Sequence, residues 1–114
     1  MATDRERRLT EAGTEMYLEK CVKFARELNR CHKDIQSIIS TIQENPNGQD
    51  INNFYDQLKY VCQEFERISD NYIDFLSRTR TAESEDEKST HLKFRDHLMR
   101  VATNILEQIG RAHV

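Results

Sequence analysis

The residues that could bind a metal or catalyse a reaction are few and unfavourably spaced. Cys31 and His32 are adjacent, and because adjacent side chains on a helix point about 100° apart, they cannot readily share a zinc ion. His91 and His97 are six positions apart, which misses the spacing of three or four that places two ligands on one helical face. We therefore predict no metal site, no cofactor and no bound small molecule.

Two catalytic classes are small helical bundles: phosphotransfer modules and helical enzymes for small molecules. A phosphotransfer bundle presents an exposed histidine closely followed by lysine and glycine, and the run His91–Phe94 contains the lysine but not the glycine. A small helical enzyme for dicarboxylate substrates needs basic side chains that point inward. The basic residues of the first predicted helix all fall outside its apolar stripe. We expect a solvated or boundary position for His91 and predict that the chain is not an enzyme.

Basic residues occur in two short clusters. Arg5, Arg7 and Arg8 lie near the N-terminus, and Arg78 and Arg80 lie before an acidic stretch. Acids are interleaved with both clusters or follow them, and the formal net charge is −3, so no extended basic field is available to attract nucleic acid. A nucleic-acid-binding module that uses the N-terminal arm stays an alternative, and a protein partner is favoured.

The cysteines and the hydropathy pattern indicate an intracellular chain. Cys21, Cys31 and Cys62 are odd in number and widely spaced, which does not match a disulfide framework and fits the cytoplasm or nucleus. Cys62 lies at the edge of an apolar stripe, so we expect it to be the most reactive of the three thiols. No apolar run of about 18 residues is present and the N-terminus is charged, so we predict neither a membrane span nor a secretory signal.

The spacing of apolar residues predicts three helices. Hydrophobic residues make up 37% and charged residues 32% of the 114 residues, so each helix is expected to be apolar on one stripe only. The first two stripes step by three and four residues without a break, and they predict helices at 14–45 and 50–77. Their members are Tyr17, Cys21, Phe24, Leu28, Cys31, Ile35, Ile38 and Ile42, and then Ile51, Phe54, Leu58, Val61, Phe65, Ile68, Tyr72 and Phe75.

Turn signals set the expected topology. Pro46 and Gly48 separate the two stripes, which predicts a short reversal and an antiparallel hairpin. The charged stretch 78–88 reads as a solvated loop, and Ser84 with Glu87 predicts a capping box that starts a third helix at 85–109. Residues 1–13 form an arm that is either helical or frayed, since Gly13 interrupts it.

The predicted fold is therefore all-α: one domain spanning 1–114, an antiparallel three-helix bundle in which two long helices form a hairpin and the third packs in its groove. The predicted core residues are Phe24, Leu28, Ile35, Ile38, Phe54, Leu58, Phe65, Ile68, Leu98 and Ile105. Four apolar residues flank the two long stripes, and we expect some of this surface to remain uncovered as an interface, most simply of a homodimer. They are Leu18, Ile39, Tyr55 and Leu76.

Two stretches of the chain resemble a known family. Residues 8–17, which lead into the first helix, and residues 72–84, with the run Phe-Leu-Ser-Arg-Thr-Arg-Thr-Ala-Glu-Ser, together resemble the N-terminal helical region of Gag-like polyproteins of Pao-type retrotransposons. The resemblance extends from about Arg8 to Ile109. It implies assembly or interaction, with no catalytic residues to carry over. Because no zinc knuckle or protease motif is present, it also implies a fragment or a domesticated remnant of such a polyprotein.

Overall fold

The protein is an all-α antiparallel bundle of three helices. A computed structural model describes the backbone of residues 3–112 and the side chains of residues 3–6, 8 and 13–110. Within that range, α1 spans Asp4–Glu44, α2 spans Ile51–Thr79 and α3 spans Ala82–Ala112. The molecule is a rod of 67 × 18 × 18 Å. The predicted fold class is confirmed.

α1 begins earlier than its stripe of large apolar residues. The Thr3 Oγ1 accepts a hydrogen bond from the Glu6 amide at 3.2 Å, and the Glu6 carboxylate accepts one from the Thr3 amide at 3.3 Å. This capping box satisfies two amides that the first turn would otherwise leave unpaired. Gly13 lies inside the helix with open space around it. The arm at residues 4–13 is therefore helical and continuous with α1, which was predicted to start at 14.

The predicted reversal at the proline is confirmed. α1 ends at Glu44, and the Asn45 amide donates to the carbonyls of Thr41 and Ile42, each at 3.2 Å. The Gly48 amide then donates to the Asn45 carbonyl at 3.1 Å, which closes the turn. These bonds use amides and carbonyls that the end of a helix leaves without intrahelical partners.

The predicted loop at 78–88 is wrong. Only Arg80 and Thr81 lie between α2 and α3, and Arg80 adopts the left-handed conformation with φ 56° that commonly ends a helix. Thr81, rather than Ser84, caps α3. The Ser84 amide donates to Thr81 Oγ1 at 3.0 Å and the Thr81 amide donates to Ser84 Oγ at 2.9 Å, so a serine takes the position that glutamate occupies in the usual capping box.

Aromatic contacts fix the register of the hairpin. Tyr17 stacks on Phe75 with ring centroids 5.8 Å apart, and Phe24 lies 5.1 Å from Tyr72. Near the turn, Ile42 and Ile51 line a common surface groove. The start of α1's apolar stripe therefore faces the end of α2, as the antiparallel prediction requires.

The core is continuous along the rod and contains most of the predicted residues. Seven of them are buried: Leu28, Ile35, Leu58, Phe65, Ile68, Leu98 and Ile105. The other three, Phe24, Ile38 and Phe54, pack against the core but remain partly exposed. Phe24 and Ile38 also line grooves between α1 and α2 on the face of the hairpin that points away from α3.

α3 lies along the hairpin but not symmetrically in its groove. It contacts α2 far more extensively than α1. Its contacts with α1 include the edge-to-face pair of His32 and Phe94, whose ring centroids are 5.0 Å apart. The side of the bundle between α1 and α3 is therefore more open than the other two sides.

The first part of α1 extends past the rest of the bundle. Tyr17 already lies beside Phe75, four residues before the end of α2 at Thr79. At about 1.5 Å per residue, Asp4–Met16 continues for roughly 20 Å beyond that point, and the last four residues of α2 run beside the first 6 Å or so of it. The side chains described there are all exposed. We call this segment the α1 overhang.

Truncation of a core side chain tests the shared core. Phe65 is fully buried and Leu28 is nearly so, so we expect Phe65→Ala or Leu28→Ala to lower the free energy of unfolding by about 2–5 kcal/mol. Urea denaturation followed by circular dichroism measures the change. Tyr60→Ala, at an exposed position on α2, is the matched control and should change stability by less than about 0.5 kcal/mol. Equal midpoints for Phe65→Ala and wild type would contradict this core.

Candidate interaction surface

Seven large hydrophobic side chains in the described part of the chain are exposed. They are Met16, Leu18 and Val22 on α1, Tyr60 on α2, and Leu92, Phe94 and Val101 on α3. Single exposed apolar residues are ordinary on protein surfaces, whereas grouped ones often mark a contact with another molecule. Their distribution over the three helices therefore decides which of them indicate a contact surface.

Leu18 and Val22 form the clearest group. They are one helical turn apart, 54% and 48% exposed, and they line one shallow surface together with Glu19, Lys23 and Arg26. Met16, 60% exposed, lies close by in the chain but points away from Leu18, because two residues on a helix are about 200° apart. The apolar patch of Leu18 and Val22 has charged side chains on its borders.

A second apolar group lies on the open side between α1 and α3. His32 and Phe94 meet edge to face there, and Val101 lines the same groove. Leu18 is fourteen residues before His32, close to four full turns, so both point to the same side of α1. The two apolar groups are thus separate, and Leu18 and His32 connect them along one side of α1, whereas Met16 and Tyr60 lie elsewhere.

The structure separates the four predicted interface residues. Leu18 is exposed and Tyr55 is half-buried, while Ile39 is 9% exposed and Leu76 is fully buried. Ile39 and Leu76 belong to the core of a single chain, so neither offers surface to a partner. The expectation overestimated the uncovered length because α3, at 31 residues, is longer than the predicted helix at 85–109.

A buried polar pair crosses the seam between α2 and α3. Ser69 Oγ and His91 Nε2 are 2.7 Å apart, and the two side chains are 0% and 6% exposed. Arg95 donates to Ser69 Oγ at 3.3 Å and to Asp70 Oδ1 at 2.7 Å. The Ser69 oxygen accepts from Arg95, and the direction of its hydrogen bond with His91 Nε2 depends on the tautomer of the imidazole.

The surroundings of this pair favour the neutral histidine. Burial lowers the pKa of His91, Arg95 lowers it further, and Glu87 opposes the shift. Glu87 is itself held by the Tyr72 hydroxyl, which donates to its carboxylate at 2.9 Å, and the Tyr72 ring meets the imidazole edge to face at 5.1 Å. A serine and a histidine in contact resemble a nucleophile and its base, but a substrate cannot reach a fully buried Ser69 Oγ. The pair joins two helices.

The expectation that His91 is a boundary residue is therefore wrong, and a sequence signal for its burial exists. His91 precedes the core residue Leu98 by seven positions, and Ser69 lies seven positions after Cys62 and seven before Leu76. A spacing of seven keeps residues on one helical face. The predicted apolar stripes contain neither residue, although the positions of both match the buried faces.

The expected reactivity of Cys62 is also wrong. Cys62 is 8% exposed, and burial, with a smaller contribution from Glu66, raises the pKa of its thiol to about 11. Cys31 is buried and its pKa is raised for the same main reason. All three cysteines carry free thiols, and Cys21 is only half-buried. Since the thiolate is the reactive form, Cys62 is chemically protected.

The basic clusters do not combine into one site. Arg5 and Arg8 are exposed on the α1 overhang, whereas the side chain of Arg7 lies outside the described residues. Arg78, which lies beyond Phe75 towards the same end of the rod, is instead engaged in an ion pair with Asp74 at 3.2 Å. Acidic neighbours thus reduce the attraction of this region for phosphates.

Neither a metal-binding cluster, nor a membrane-spanning helix, nor a known relative indicates a function for the part of the chain that the structure describes. Among the side chains that the structure describes (3–6, 8 and 13–110) there is no group of three or more potential metal-ligating residues. None of the helices described is both long and apolar enough to pass through a bilayer. No protein-family model, curated protein sequence or solved structure matches the chain. The chain's own surface is therefore the remaining indication of its function.

The lowered pKa of His91 predicts a fold that loses stability as the pH falls. The unfolded chain binds a proton on this histidine at about pH 6.5, and the folded protein resists that proton. The stabilising contribution is therefore complete above about pH 6.5 and is lost progressively as the pH falls towards the folded pKa. Urea midpoints measured between about pH 7.5 and 5 should decrease in wild type and decrease less in His91→Gln.

The comparison of slopes separates this effect from a simple loss of packing. His91→Gln lowers stability at every pH if the buried contact is lost, but only removal of the titrating group flattens the dependence on pH. His97→Gln, at an exposed position on the same helix, is the control and should retain the wild-type slope. Parallel slopes for wild type and His91→Gln would contradict the assignment.

Thiol accessibility provides an independent check of the core. We expect a water-soluble disulfide reagent to modify Cys21 in the native protein within minutes, and Cys31 and Cys62 only after unfolding, because both are buried and have raised pKa values. Mass spectrometry of digested protein identifies the modified residue. Rapid native modification of Cys62 would show that the α1–α2 core opens readily.

Proposed function

We propose that the chain is a non-enzymatic helical interaction module that self-associates, most simply as a homodimer. The observation that carries this proposal is the exposed patch of Leu18 and Val22 near the end of α1 that extends past α2 and α3. Complete burial of a leucine or valine side chain is worth about 1.5–3 kcal/mol. Burial of these two adjacent, half-exposed side chains would therefore favour association.

The α1 overhang supports the same proposal. About nine residues of the α1 overhang lie beyond the end of α2, and most helical stability in proteins comes from tertiary contacts rather than from the isolated helix. The Thr3–Glu6 capping box supports its first turn, but α2 and α3 do not extend far enough to pack along it. A partner that packs against α1 in this region would supply the missing contacts.

The interior of the bundle supports a non-enzymatic role. The one serine–histidine pair among the described residues is buried, and the surface depressions are open grooves on the sides of the rod rather than enclosed cavities. The resemblance to the N-terminal helical region of Gag-like retrotransposon polyproteins is part of the proposal. It points to the same class of role, an assembly element rather than a catalyst.

Solution mass as a function of concentration tests self-association. The monomer mass is 13.5 kDa, and we expect sedimentation or light scattering to give a weight-average mass that rises towards twice that value between about 5 and 200 μM, as a small interface predicts. Weak interfaces of this class dissociate on dilution. A mass that stays at 13.5 kDa at about 100 μM would overturn self-association and leave only a different protein as partner.

A further inference from the structure

One face of α1 combines apolar and charged residues in an ordered way. Glu15, Leu18, Val22, Arg26 and Lys33 follow each other at steps of three, four, four and seven residues, so they lie on a single helical face. All five are exposed. We call them the α1 face.

The charges of the α1 face are segregated along the helix. Glu15 and the neighbouring Glu19 precede the apolar centre, and Arg26 and Lys33 follow it. Within the part of the chain that the structure describes, none of these four side chains takes part in an ion pair. At about 1.5 Å per residue, Glu15 and Lys33 are about 27 Å apart. Between Glu15 and Lys33 the face is therefore acidic at one end, apolar in the centre and basic at the other end, and the exposed Arg8 lies on the same side of the helix, seven residues before Glu15.

Such a face is complementary to itself after a two-fold rotation. A rotation about an axis close to Val22 brings the acidic end of one copy opposite the basic end of the other, and Val22 of one copy comes close to Val22 of the other. A parallel arrangement would place Glu15 beside Glu15 and Arg26 beside Arg26, which like charges disfavour. The charge pattern thus discriminates between the two orientations, whereas the apolar residues alone would not.

We propose that two copies of this chain dock through the α1 face, with the two α1 helices antiparallel and crossing near Val22. This inference rests on the proposed function and names the surface and the geometry. With the crossing one residue beyond Val22, Glu15 of each copy lies within two residues of the position opposite Lys33 of the other, and Glu19 lies within one residue of the position opposite Arg26. This is the self-complementary contact of a two-fold dimer.

The same geometry accounts for the α1 overhang. With a crossing near Val22, the overhang of each copy lies alongside the middle of the other copy's α1, in the region of Lys33, Gln36 and Ser40. These three side chains are exposed, so the surface is available. Each overhang then gains a neighbour that its own chain does not provide.

Charge reversal at the acidic end tests the orientation. Glu15→Lys/Glu19→Lys changes the net charge from −3 to +1, because each of the two substitutions adds 2 to −3. General charge repulsion between copies falls when the net charge approaches zero, so it would leave association equal or stronger. The antiparallel contact predicts the opposite, because four attractive charge pairs become repulsive. We expect the association constant to decrease at least about tenfold.

Reversal at both ends provides the decisive variant. Glu15→Lys/Glu19→Lys/Arg26→Glu/Lys33→Glu has the wild-type net charge of −3, since the added 4 and the subtracted 4 cancel. Every acid–base pair of the antiparallel contact is present again with its signs exchanged. We expect association to return to within about threefold of wild type. Failure of this variant to recover, while it retains wild-type helicity, would overturn the antiparallel contact.

The controls use exposed residues away from the α1 face. Asp56→Lys/Glu107→Lys makes the same change in net charge on the outer surfaces of α2 and α3 and should not weaken association. Val22→Asp should weaken it by introducing a carboxylate at the crossing point, whereas Tyr60→Asp, at an exposed aromatic on α2, should not. Circular dichroism spectra and urea midpoints verify that each variant is folded.

The outcomes distinguish this inference from the proposed function. If wild type associates and Glu15→Lys/Glu19→Lys associates equally well, the α1 face is not the interface, and self-association through another surface stands. If wild type remains at the monomer mass over the whole concentration range, both proposals are overturned. Weakening by the double variant together with recovery in the fourfold variant supports both.

Discussion

The packing of α2 against both other helices is the constraint on which the rest of the structure depends. With a third of the residues charged, each helix has one apolar side to bury, and α2 supplies a surface wide enough for two neighbours. Leu58, Phe65 and Leu76 on α2 are fully buried. α1 and α3 each pack chiefly against α2 and only lightly against each other. The side between α1 and α3 is therefore left open, and two of the exposed apolar residues, Phe94 and Val101, lie along it.

The buried polar pair adds specificity to this packing. Apolar seams with repeating residues permit neighbouring registers of similar energy, whereas a buried hydrogen bond is satisfied in only one of them. Ser69 and His91 meet at 2.7 Å, and a shift of α3 by one turn would leave both without a partner inside the core. The two-residue link at Arg80 and Thr81 limits the same sliding motion from the end of the bundle. Two independent features thus hold α3 in place.

Unequal helix lengths connect the fold with the proposed role. α1 has 41 residues, against 29 in α2 and 31 in α3, so a bundle whose core is as long as α2 cannot cover all of α1. The uncovered part carries Leu18 near its border, together with acidic residues whose basic counterparts lie further along the same helix. The proposed self-association would use this extension as contact surface.

The sequence by itself determined the helices, the hairpin and most of the core, because each depends on local information. The unbroken stripes from Tyr17 to Ile42 and from Ile51 to Phe75 specify helical faces, and Pro46 with Gly48 specifies the reversal between them. Of the candidate interface residues, the sequence identified Leu18 correctly as exposed. Tertiary structure decided the burial of Ile39, Leu76 and His91, because burial depends on which neighbour covers a face and over what length. That length follows from the left-handed Arg80 and the Thr81 cap, which let α3 begin immediately after α2. The charge pattern of α1 is present in the sequence, but only the bundle shows that this face is uncovered.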